Sequence, residues 1–145
     1  MSTRLASIGV VLLTVLAISC AANPAGPTDG RATDELTSAL RAQGVSVTVG
    51  DMLPQESTPY FSTRARVVTV NSATLQVFEY ETTAAADRDA AKVSPGGSPI
   101  GTVQILWVSV PHFYKSGRVI VTYVGTDDNV LQVLEKVLGA PFASR

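Results

Sequence analysis

The chain is poor in the residues that build most catalytic and metal sites. Among 145 residues it has one cysteine, Cys20, and one histidine, His112. A lone cysteine has no intramolecular partner, so no disulfide staples this fold and an apolar core must hold it. Zinc sites take three or four ligands, mostly His and Cys, and this chain has too few to supply them. Charge is also scarce: eleven Lys and Arg stand against twelve Asp and Glu. There is no basic run to grip a phosphate backbone, which excludes nucleic acid as a partner. There is no acidic tail either. No Gly-x-Ser-x-Gly elbow and no phosphate-loop ending in Gly-Lys-Ser/Thr occurs. The glycine-rich Ser94-Pro95-Gly96-Gly97-Ser98 stretch has only the composition of such a loop and reads as a surface turn.

What is present begins with an apolar N-terminus. Arg4 is followed by a stretch without charge from Leu5 to Ile18, dominated by Ile, Val and Leu. Small residues then lead to Cys20. A positive tip, a short apolar run and a small-residue exit are the parts of a secretory signal peptide. The run falls short of the ~20 residues a spanning helix needs. Leu16-Ala17-Ile18-Ser19-Cys20 resembles the lipobox of bacterial lipoproteins, with Ala17 where that family usually carries leucine. The resemblance implies cleavage after residue 19 and lipidation of Cys20. It places the protein outside the cytoplasm, anchored to the cell membrane and facing the periplasm or the cell exterior.

Residues 20–30 carry two prolines and two glycines and no apolar period. They read as a flexible tether with a mean span of roughly 15–20 Å. Residues 31–145 have the size and apolar content of one domain. The spacing predicts a helix over Asp34–Gln43, capped by Thr33 and stopped at Gly44. A short strand at Val45–Val49 and a loop over Gly50–Thr63 follow. Two strands, Ala65–Val70 and Thr74–Tyr80, form a hairpin across Asn71-Ser72-Ala73. A second helix over Thr83–Val93 is expected to pack through Ala84, Ala91 and Val93, with Asp87, Arg88, Asp89 and Lys92 in water. A second strand pair is read at Thr102–Val110 and Arg118–Gly125. The last helix, Asp128–Leu138, carries the strongest apolar stripe: Val130, Leu131, Leu134, Val137 and Leu138. The fold class is α+β: an antiparallel sheet of two strand pairs plus a short strand, packed by about three helices mainly on one side.

Three stretches make residues 31–145 similar to small bacterial lipoproteins of no assigned activity. They are Val77-Phe78-Glu79-Tyr80-Glu81, Ala90-Ala91-Lys92-Val93-Ser94-Pro95 and Pro111-His112-Phe113-Tyr114-Lys115-Ser116-Gly117. The likeness implies an envelope location and no particular reaction.

The candidate binding region is Trp107 with His112, Phe113, Tyr114 and Lys115, read as a connection between two strands. An imidazole, aromatic faces and one cation in a loop can hold a small ligand or an envelope protein. The structural alternative is a hairpin end whose aromatics cover the sheet. The acidic pairs Glu79/Glu81, Asp87/Asp89 and Asp127/Asp128 lack a calcium-loop pattern and read as structural or solvated. No cofactor and no metal is called for. These residues support a lipid-anchored, non-enzymatic binding or interaction module. The alternative is an enzyme accessory or weak hydrolase using His112. A third reading, help in assembling a larger envelope complex, would show as an exposed apolar patch.

Overall fold

The computed structural model describes residues 30–145. The expected signal peptide, Cys20 and the expected tether up to residue 29 lie outside the described residues. The elements are α1 (Arg31–Arg41), β1 (Val47–Met52), β2 (Ala65–Val70), β3 (Ala73–Glu79), α2 (Thr83–Ala90), β4 (Pro111–Ser116), β5 (Val119–Val124), α3 (Asp128–Leu138) and β6 (Ala143–Ser144). All pairings are antiparallel, and the six strands lie in the order β1-β2-β3-β5-β4-β6. Three helices and a segregated antiparallel sheet make this an α+β fold.

The sheet is covered on both faces. Alternation sends Val68, Val70, Leu75, Val77, Tyr114, Val119, Val121 and Tyr123 to the first face. There they meet Leu36 and Leu40 of α1 and Val130 and Leu134 of α3. Ala65, Phe78, Phe113 and Ile120 point to the second face, under Ala86 of α2, Phe61 and Ile100. Strands buried on both sides read as nearly continuous apolar runs, and β5, Val-Ile-Val-Thr-Tyr-Val, is one. The expectation of helices mainly on one side describes α1 and α3. α2 covers the other face.

Several boundaries differ from the sequence reading, each for a tertiary reason. α1 starts at Arg31 rather than Asp34, and Thr33 is inside the helix rather than its cap. The cap comes from β3: Glu79 Oε2 accepts the Thr33 N–H at 3.0 Å and its hydroxyl at 2.6 Å. β1 runs on to Met52, past the expected end at Val49, because β2 pairs with it as far as Arg66, across a register break. α2 ends at Ala90, after which Val93 bridges to Ile100 instead of continuing the helix. Its expected packing residues Ala84 and Ala91 are exposed, while Ala86 and Asp89 are buried.

The largest correction concerns Thr102–Val110, which forms no strand. The strand is the next segment, Pro111–Ser116, read above as a connection. β5 already pairs with β3, and its free side takes β4 through Pro111↔Val124 to Ser116↔Val119. The other strand of the expected pair, Arg118–Gly125, is present as β5. β6 was not foreseen, since two residues carry no periodicity. α3 runs from Asp128 to Leu138 as expected, and Asp127 caps it by accepting the Asn129 and Val130 N–H groups.

Leu134 is fully buried between α3 and the first face. Leu134→Ala should cost about 2–5 kcal/mol, a large part of the stability of a domain this size. Urea denaturation of parent and variant measures it. An unchanged midpoint would mean that α3 is not seated on the sheet.

Candidate functional site

The five residues read as one binding region do not form one. His112, Phe113, Tyr114 and Lys115 lie on β4, and a strand turns successive side chains to opposite faces. Tyr114 belongs to the first core and Phe113 to the second, and both are fully buried. The connection with an accessible aromatic surface is thus replaced by a strand between two cores. Burial, with Glu135 and Tyr123 nearby, pushes the Tyr114 phenol up to about 12. Lys115 reaches Asp87 of α2 at 2.7 Å. Trp107 lies on the second face, edge-on to Phe113 at 5.8 Å between ring centroids. Its Nε1 donates to the Gly97 carbonyl at 2.9 Å.

His112 is half-buried at the strand end and stacks on Tyr123. Its Nε2 lies 3.0 Å from the Gly125 carbonyl, which only accepts, so Nε2 carries the proton. Its Nδ1 lies 2.9 Å from Ser144 Oγ on β6. In the neutral imidazole Nδ1 accepts the Ser144 hydroxyl. This is a serine–imidazole contact, but the third group is a carbonyl, not a carboxylate that would stabilise an imidazolium. Neither of the two cavities below is lined by Ser144 or His112. Its evident work is to pin the short β6 to β4.

Two acids read as solvated or structural prove to be buried. Glu79 sits at the end of β3, with Oε1 3.2 Å from Arg118 and Oε2 on Thr33. It lines a cavity of about 260 Å³ with Gly30, Thr33, Met52, Arg64, Arg66 and Val77. Asp89 is expected to face water, yet it is buried among Ser62, Tyr80 and Lys92. Burial alone would raise its pKa. The Lys92 ammonium, the Ser62 N–H and hydroxyl and the Tyr80 hydroxyl outweigh that and hold the carboxyl below its ordinary value. Burial, with Asp89 beside it, pushes the Tyr80 phenol up, so it stays a donor. The available sequence signal was Lys92 three residues after Asp89 on one helical face. A groove of about 400 Å³ also opens between α1 and α3, floored by Leu36, Val119, Val137 and Leu138. Among the described residues no three His, Cys, Asp or Glu side chains gather to hold a metal, and no helix is long and apolar enough to cross a membrane.

The feature missed altogether is apolar. Leu106 and Val108, on either side of Trp107, are 96% and 98% exposed. Phe142, close to Phe113 on the β6 side, is 40% exposed. Both residues were hidden in the expected strand Thr102–Val110, where pairing would have covered them. No family model, curated protein or solved structure matches this chain.

Two tests follow from this geometry. Phe113→Ala and Tyr114→Ala should each cost about 3–5 kcal/mol, as large buried aromatics do. Lys115→Ala, which loses a partly exposed ion pair, should cost under about 1 kcal/mol. Thermal melts of the three variants distinguish core from surface. The second test is pH. A carboxyl held low in the folded state contributes stability above its unfolded value near 3.8 and loses it as pH falls toward the folded value. The urea midpoint should therefore drop as acid is added through this range. Asp89→Asn should flatten that drop and cost about 2–3 kcal/mol at neutral pH. An identical acid limb in the variant would show that Asp89 is not what titrates.

Proposed function

We propose that this protein is lipid-anchored in the bacterial cell envelope and that its α+β domain is a non-enzymatic interaction module. The anchor reading rests on the order of the chain: an uncharged apolar run, Cys20, a tether rich in proline and glycine, and then α1 starting at Arg31. The module reading is carried by one observation, the exposed Leu106 and Val108 on a loop fastened by Trp107. Monomeric proteins rarely leave such side chains together in water, and contiguous ones mark contact surfaces. The contact surface assigned is thus Leu106 and Val108; of the five residues first considered only Trp107 bears on it, as the inward-facing side chain that fastens the loop. His112 anchors β6 and has no place in it.

Mass spectrometry of the protein from membranes tests the anchor. The N-terminus should be Cys20 carrying acyl chains, since two or more chains hold stably at ~0.8 kcal/mol per buried methylene. Cys20→Ala should shift the protein to the soluble fraction or leave it as an unprocessed precursor. An unmodified N-terminus elsewhere in residues 20–30 would overturn the anchor.

A further inference from the structure

Two arginines stand in the wall of the cavity of about 260 Å³, and the domain gives neither of them a counter-ion. Alternation along β2 sends Val68 and Val70 to the first face of the sheet. The same alternation carries Arg66, and Arg64 just before the strand, to that face at the end of the apolar stripe. Arg66 stands in register between Met52 of β1 and Val77 of β3, whose side chains give the cavity an apolar floor. Its Nη1 donates to the Gly50 carbonyl at 3.1 Å. That contact holds the guanidinium in place and uses one of its five N–H donors. Arg64 is exposed and makes no hydrogen bond to a described residue. Neither arginine is ion-paired with a described carboxylate.

Glu79 shares this wall, and its charge is already matched. Its Oε2 accepts from Thr33 at the start of α1, and its Oε1 lies 3.2 Å from Arg118. The Arg64 and Arg66 charges are therefore left over, beside the positive end of an eleven-residue helix.

We propose that this cavity binds a phosphate monoester, its phosphate held between the Arg64 and Arg66 guanidiniums. The planar N–H fork of a guanidinium matches the oxygens of a phosphate, and such charge-assisted bonds are roughly twice as strong as neutral ones. A phosphate monoester carries about −1.5 to −2 at neutral pH and balances both cations, whereas a carboxylate balances one. Met52 and Val77 offer apolar contact to the carbon atoms next to the ester oxygen. The cavity is smaller than the ~300–1,000 Å³ of drug-sized sites. It fits a small ester, or the head of a longer molecule that leaves past the exposed Arg64. The site is on the first face of the sheet, whereas Leu106 and Val108 flank a tryptophan seated on the second. It stands independently of the interaction-module reading. The cavity lies at Gly30, where α1 begins. Should Cys20 carry lipid, the phosphate of a lipid headgroup is one source of this chemistry, and a soluble ester is the other.

The test titrates the full-length chain, isotope-labelled and held in a maltoside detergent, with glycerol phosphate. The arginine Nε–H signals are followed by NMR. The signals lost in Arg64→Gln and in Arg66→Gln assign the two guanidiniums. Both should shift together and saturate in the parent, and either variant should weaken binding about tenfold or more. Arg64 is exposed, so Arg64→Gln should melt as the parent does, and its lost binding is then not lost folding. Arg88→Gln, exposed on α2, should bind as the parent does. Dihexanoyl phosphatidic acid separates the two sources. Saturation at a tenfold or lower concentration than glycerol phosphate assigns the headgroup, and equal or weaker binding assigns the soluble ester. Acetate or chloride shifting the two signals as strongly at equal ionic strength overturns the proposal. So does saturation that survives both arginine substitutions, or no saturation with either phosphate.

Discussion

A sheet that is apolar on both faces must be covered twice, and this requirement organises the molecule. β3, β4 and β5 each send large side chains to both sides: Phe78 against Leu75 and Val77, Phe113 against Tyr114, and Ile120 against Val119 and Val121. Each fully buried aliphatic or aromatic side chain contributes roughly 1.5–3 kcal/mol, so neither face can be left in water. α1 and α3, eleven residues each, cover the first face. α2 has eight residues and covers only part of the second. Irregular chain completes the cover, with Phe61 from one loop and Ile100, Ile105 and Trp107 from another. Gly97 allows this close approach. Its φ is +77°, and a side chain there would strike Phe113 and Pro111 at 2.9 Å. Trp107 turned inward leaves Leu106 and Val108 turned outward, so their exposure is a consequence of how the second face is closed.

Two buried carboxylates tie the covering elements to the sheet. Glu79 holds the start of α1 through Thr33 and also meets Arg118 beside β5. An anion at a helix N-terminus meets the positive end of the helix and its unpaired N–H groups. Asp89, in the last turn of α2, ties the other face through side-chain partners instead, joining α2 to the loop at Ser62 and to Tyr80. Removing a partner from such a buried site leaves polar groups without water, which is why these ties are costly to break.

The legible parts of the chain are those whose signal is local. The β2–β3 hairpin is bounded by β-branched runs and an Asn71-Ser72 turn, with Asn71 at φ 55°. α3 is bounded by the Asp127 cap and Gly139. The candidate site was not legible, because adjacency in Pro111–Gly117 says nothing about faces until the segment is known to be a strand. Once it is, alternation sends His112 and Tyr114 one way and Phe113 and Lys115 the other. Thr102–Val110 and Pro111–Ser116 are both rich enough in apolar residues to pair, and composition could not choose between them.

By itself the amino-acid sequence determined the α+β class, the two helices with strong caps or stripes, and the β2–β3 hairpin. These follow from periodicity, capping chemistry and turn residues, all of which act within a few positions of one another. Only the tertiary structure decided which apolar segment joined the sheet, which acids were buried and which hydrophobic side chains stayed in water. β5 has one side free beside β3, and β4 took it. Competition for that single ladder left Leu106–Ser109 unpaired, and no local pattern encodes the outcome of a competition between distant segments.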